Sequence, residues 1–83
     1  MRLLLFGTSG CHLCDLAEAL IEESIGNDPR ILIETIDIAE SEQWQKPYAQ
    51  LIPVLFHPET QQELRWPFEL HQIKQFITGL NHD

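Results

Sequence analysis

The chain has 83 residues, with 13 Asp and Glu against five Lys and Arg and a formal net charge of −8. At 43% apolar and 22% charged it has the make-up of an ordinary folded domain, and its length suits a single one over residues 1–83. So acidic a chain lacks the cations that displace counterions from nucleic acid or hold an anionic membrane surface, and neither is expected as a partner.

Residues 2–6 form a short apolar run, as for a strand buried on both faces of a sheet. Gly7-Thr8-Ser9-Gly10 interrupts it, well short of the about 7–15 apolar residues of a secretory h-region. No stretch approaches the ~20 apolar residues of a membrane span. A cytoplasmic location is therefore expected, where stable structural disulfides are rare. Leu13, Leu16, Ala17, Leu20 and Ile21 then recur at helical spacing, with Asp15, Glu18, Glu22 and Glu23 opposite. The helix should end near Ile25, at Gly26-Asn27-Asp28-Pro29.

Ile31 to Ile38 is rich in β-branched residues and reads as a second strand. Ser41 can cap a short helix to about Gln45, which Pro47 limits or kinks. Pro53 to His57 is a third strand, Pro58 to Gln61 a turn, and Gln62 to Trp66 a fourth strand, most simply an antiparallel hairpin. Ile73, Phe76, Ile77 and Leu80 mark a final amphipathic helix, with Pro67 near its start and Gly79 near its end. The order is β-α-β-(α)-β-β-α. The first two strands should be parallel through a right-handed crossover, giving an α/β fold with a four-stranded mixed sheet flanked by helices.

Cys11-His12-Leu13-Cys14 is a C-x-x-C placed directly after the first strand, at the start of the first helix. Unpaired N–H groups there carry partial positive charge and stabilise a thiolate, the nucleophilic form of cysteine. Cys11 would stand at the tip, and Cys14, one turn on, could attack a mixed disulfide formed at Cys11. Three other readings stay open on the residues alone. They are a structural disulfide, a pair of inert thiols, and a zinc site drawing on His12, His57, His71 or His82. A structural zinc site wants about four protein ligands, and there is no second C-x-x-C. His12 either supports the Cys11 thiolate or is a solvated loop residue. Asp15 and Glu18 oppose thiolate formation, and no Lys or Arg lies between Arg2 and Arg30 to offset them, so moderate activation is expected.

Leu51-Ile52-Pro53-Val54-Leu55 completes the pattern. A proline opening a strand needs no ladder donor. With the C-x-x-C after the first strand and this element order, however, the chain resembles the thioredoxin-like superfamily, and within it the glutaredoxin-like small proteins, over nearly its whole length. The resemblance implies a thiol–disulfide oxidoreductase with Cys11, Cys14 and Pro53 catalytic and Cys11–Cys14 as the redox-active disulfide. It implies a cis Ile52–Pro53 peptide facing the cysteines. It also implies a substrate chain paired as an added strand on the Ile52 backbone, with Ser9, Gly10, His12 and Leu13 around it. The substrate would be a protein disulfide or a small-thiol mixed disulfide. The electron donor would be a reductase or glutathione, with no resident cofactor and no metal, and the protein a monomer.

The chain departs from that pattern in places. Members that use glutathione carry a basic residue just before the motif, where this chain has Thr8-Ser9-Gly10. They also carry a Gly-Gly followed by Asp after the hairpin, where this chain has Arg65-Trp66-Pro67-Phe68-Glu69. A poor glutathione site is expected, with Arg65 and Trp66 either contacting substrate or packing. Trp44 and Tyr48 read as packing of the short helix before lining of a groove. Glu34 and Asp37 read as edge-exposed before any proton relay to Cys14. The rivals are a metal or iron–sulfur module, although a cluster normally wants four thiolates, and a redox-inert interaction domain.

Overall fold

The computed structural model describes residues 1–26 and 28–80. Asn27 and His82, both singled out in the sequence, lie outside them. Strand β1 (Arg2–Gly7) leads to helix α1 (His12–Ile25), strand β2 (Leu32–Asp37), a 3-10 turn (Ile38–Glu40), helix α2 (Glu42–Tyr48), strands β3 (Val54–His57) and β4 (Gln62–Arg65), and helix α3 (Leu70–Leu80). The sheet order is β2-β1-β3-β4. β1 and β2 are parallel from Arg2↔Leu32 to Gly7↔Asp37. β3 runs antiparallel to both β1 and β4. This is the mixed four-stranded sheet expected from the sequence.

The unbroken apolar run of β1 has a direct cause. Successive side chains on a strand point to opposite faces, and both faces are covered. Leu3 and Leu5 join Ala17, Ile21, Leu55, Phe68, Ile73 and Ile77 under α1 and α3. Leu4 and Phe6 join Ile38, Tyr48, Val54 and Phe56 under α2. On that second face the Phe6 ring stacks on Tyr48 at 4.7 Å and tilts against Trp44 at 4.9 Å. Trp44 and Tyr48 thus pack the short helix onto the sheet.

Four local expectations are corrected. Leu13 and Leu16, expected on the buried stripe of α1, are each 44% exposed. The buried stripe is instead Cys14, Ala17 and Ile21, because the cysteine takes the inward position in the first turn. Ile38 is not strand: the Asp37 carboxylate accepts the Ala39 N–H at 2.9 Å and turns the chain into the 3-10 segment. Pro47 does not stop its helix. Its missing N–H costs the bond to the carbonyl of exposed Gln43, while Ala49 N–H still reaches the Gln45 carbonyl at 2.8 Å. Trp66 lies beyond β4, before a second cis peptide at Pro67, and its ring meets Phe68 edge-on at 5.1 Å.

Tyr48 also ties α2 to β4, since its hydroxyl donates to Glu63 Oε1 at 3.0 Å. Burial, and then that hydrogen bond to a carboxylate, raise the phenol above its ordinary range. The stabilisation from Tyr48 is therefore full below the unfolded phenol value of about 10 and is lost as pH rises through the higher folded value. Alkaline unfolding curves should show this loss in the wild type and a flatter decline in Tyr48→Phe. In urea titrations, Ile21→Ala should cost about 2–5 kcal/mol, whereas Leu16→Ala should stay within about 0.5 kcal/mol.

Candidate functional site

The end of β1 builds the site. After Gly7 the Thr8 carbonyl accepts the Cys11 N–H at 3.3 Å. Gly10, third in this turn, has φ +80°, the positive value a type II turn demands at that position. Ser9 and Gly10 are exposed at its tip. The turn sets Cys11 as the N-cap of α1, in extended geometry. The Cys11 sulfur accepts the Cys14 N–H at 3.1 Å, so one of the helix's orphan donors is spent on sulfur.

Cys11 and Cys14 form a disulfide, with their Cα atoms 5.2 Å apart. The two sulfurs are unequal. Cys11 is half-buried, whereas Cys14 is 8% exposed and packs against the end of β1. His12 and Leu13, between them, are exposed.

Register brings the second part of the site to the same end of the sheet. Phe6 pairs with Val54, so the carboxyl end of β1 adjoins the amino end of β3, where Pro53 is fully buried and the Ile52–Pro53 peptide is cis. The Pro53 carbonyl accepts the Trp66 N–H at 3.2 Å. Neither the N–H nor the carbonyl of half-buried Ile52 has a backbone partner among the described residues. Arg65, opposite Val54, is held by Glu63 in an ion pair, which raises its guanidinium further above its ordinary range.

A cavity of about 230 Å³ lies on the flank of Cys14 between α1 and β2, lined by Gly7, Thr8, Asp15, Glu18 and Asp37 among others. Asp37, although it lines this cavity, also caps the 3-10 turn. Glu34 is on the exposed edge in an ion pair with Arg2 at 3.1 Å. Among the described residues, the histidines considered as ligands form no metal-binding group with the cysteine pair. His57 is buried at the far end of β3, sharing a 2.8 Å hydrogen bond with Thr60, and His71 is exposed on α3 beside Glu69. Among the described residues no group of three or more His, Cys, Asp or Glu is close enough to hold a metal. Nor, among them, is any helix long and apolar enough to cross a membrane.

The family model described as "Glutaredoxin-like domain (DUF836)" matches residues 2–78. This chain belongs to that family. Its fold is thioredoxin-like. It is similar to the X-ray structure of Northeast Structural Genomics target protein XcR50 from X. campestris, with a TM-score of 0.79 and 25% identity over 93% of this chain and 96% of that one. No curated protein matches it. The matched residues include the C-x-x-C after β1 and the Ile52–Pro53 peptide before β3, which is cis as the resemblance implied. The close seating of Cys14 on Gly7 was not read from the sequence. Its only sequence signal was a glycine closing an apolar strand.

Asp15 and Glu18 sit beside the cysteine pair without an ion-pair partner among the described residues. Their charge should hold the Cys11 thiol up. The double variant Asp15→Asn, Glu18→Gln should therefore shift the pH midpoint of Cys11 alkylation by iodoacetamide downward. An unmoved midpoint would mean that the acidic flank has no hold on the thiol.

Proposed function

We propose that this protein is a thiol–disulfide oxidoreductase working by dithiol exchange. In the reduced protein the Cys11 thiolate attacks a substrate disulfide. One substrate sulfur leaves as a thiol and the other stays bonded to Cys11. Cys14 then attacks Cys11, its proton passing to solvent, and releases the second substrate thiol, so that the substrate gains two electrons and the protein is left as the Cys11–Cys14 disulfide. The asymmetry of the two sulfurs carries this reading: Cys11 stands at the helix tip, and Cys14 lies buried within bonding distance behind it.

Ile52 supports the same reading, because its backbone, without a backbone partner among the described residues, offers an edge for a substrate strand beside cis Pro53. Ser9, Gly10, His12 and Leu13 surround the attacking sulfur as substrate contacts. The substrate is a protein disulfide or a small-thiol mixed disulfide. The protein acts as a monomer, in the reducing cytoplasm, without a resident cofactor or metal. Its electron donor is a reductase before glutathione. No basic residue precedes Cys11 in the motif, and the net charge of −8 repels an anionic thiol.

Redox titration of the pair, read by alkylation and mass, tests the proposal. The wild type should cycle between dithiol and disulfide. Cys11→Ser should abolish exchange, and Cys14→Ser should accumulate a mixed disulfide at Cys11. Cationic cystamine should be reduced faster than glutathione disulfide at low salt, with the gap narrowing as salt is raised. A pair whose disulfide exchanges no faster than that of a model peptide would refute the proposal.

A further inference from the structure

We propose that Gly7 is a positioning residue for the resolving cysteine, and that its missing side chain is the seat of the Cys14 sulfur. This rests on the dithiol-exchange reading above and specifies what aims its second step. A Cβ at Gly7 would lie 3.1 Å from Cys14 Sγ and 3.2 Å from Cys14 Cβ. Both distances are tighter than ordinary van der Waals contact, so one partner would have to move.

Backbone conformation does not explain this glycine. Gly10 and Gly26 have positive φ and Gly7 does not. Nor does crowding recur at the other glycines, because a Cβ at Gly10, Gly26 or Gly79 would meet nothing within 4 Å. Gly7 is the last ladder residue of β1, paired with Asp37, and a glycine weakens a strand there by giving nothing to pack. Its place is set by space alone, and the atom that fills the space is the sulfur.

The neighbour has little freedom to yield. Cys14 is in the first turn of α1, its N–H is committed to the Cys11 sulfur, and it is 8% exposed. A methyl at position 7 would therefore displace the Cys14 sulfur by a few tenths of an ångström along the direction away from β1. In resolution the Cys14 thiolate forms its bond to Cys11 Sγ while the Cys11–substrate S–S bond breaks and the substrate sulfur departs to take a proton from solvent. That displacement requires the three sulfurs nearly in line, so the Cys14 position enters this step. It does not enter the first attack, made by Cys11.

The test uses full-length reduced protein and 2-hydroxyethyl disulfide, an uncharged probe, with acid-quench mass analysis of the Cys11 adduct. In Gly7→Ala the adduct should form at a rate within about twofold of wild type and resolve about tenfold more slowly, in line with the rate cost of small misplacements of reacting groups. Gly79→Ala, which fills open space, should leave both steps unchanged. Resolution at the wild-type rate in Gly7→Ala would overturn the proposal. Should Gly7→Ala fold poorly, its thermal shift is compared with and without Cys14→Ala, which removes the nearer contact. A loss that shrinks by half or more supports the seat, and an equal loss in both backgrounds overturns it. A wild type that forms no adduct would refute the dithiol-exchange reading itself, and this inference with it.

Discussion

The structure depends on a single constraint, the burial of β1 on both faces and its pairing along both edges. Leu3 and Leu5 are fixed by the helices on one side, and Leu4 and Phe6 by the aromatic cluster on the other. β2 and β3 take up its ladder bonds on either edge. A strand held this way has no freedom at its carboxyl end. The residues after Gly7 are therefore delivered to one place, and they form the turn that makes Cys11 a helix cap. The antiparallel register of β3 brings Ile52 and Pro53 to the same end without any contact designed for that purpose.

Two electrostatic effects compete at that end. The first turn of α1 gives the Cys14 N–H to the Cys11 sulfur, and the helix terminus favours negative charge there. The same helix carries Asp15 and Glu18 on its outer surface near that end, where they suit the dipole but oppose a neighbouring thiolate. The arginines do not redress the balance. Arg2 is paired with Glu34, Arg30 with Asp28 and Arg65 with Glu63. The hydrogen bond from Cys14 N–H is short-ranged and survives salt, whereas exposed carboxylates are screened. Raising the salt should therefore weaken the opposition of the carboxylates while leaving this hydrogen bond in place.

Much of this was legible in the sequence. The continuous apolar and β-branched runs gave the strands and their order. The C-x-x-C after β1 with Ile52-Pro53 before β3 carried the family and the two halves of the site. What escaped reading was whatever depended on a neighbour distant in the chain or on a local side-chain capture. Periodicity placed five apolar residues on α1 but could not say that Cys14 would take the inward position and leave Leu13 and Leu16 outside. The turn at Ile38 came from the Asp37 side chain capturing a backbone N–H, a local competition that hydrophobic pattern does not record. Pro47 inside α2 broke a propensity rule because the helix is short and Tyr48 is anchored by Phe6 and Glu63. Propensity counts the lost hydrogen bond and is blind to that anchor.

Cys14 joins the core to the chemistry. It occupies the inward position of α1 with Ala17 and Ile21 behind it, and small residues at the first two of these positions let the helix settle close on β1. A large apolar side chain at 14 would strike Gly7 from the other side, just as a side chain at 7 would strike the sulfur. Burial also protects Cys14 from direct attack by bulky disulfides, since little of it reaches solvent, while Cys11 remains open at the helix tip. Under dithiol exchange this one packing arrangement sets the order of events: the half-buried sulfur at the helix tip meets the substrate, and the buried sulfur reaches only its neighbour. Close packing of a helix on a strand thus supplies the sequence of the two steps without a separate device to impose it.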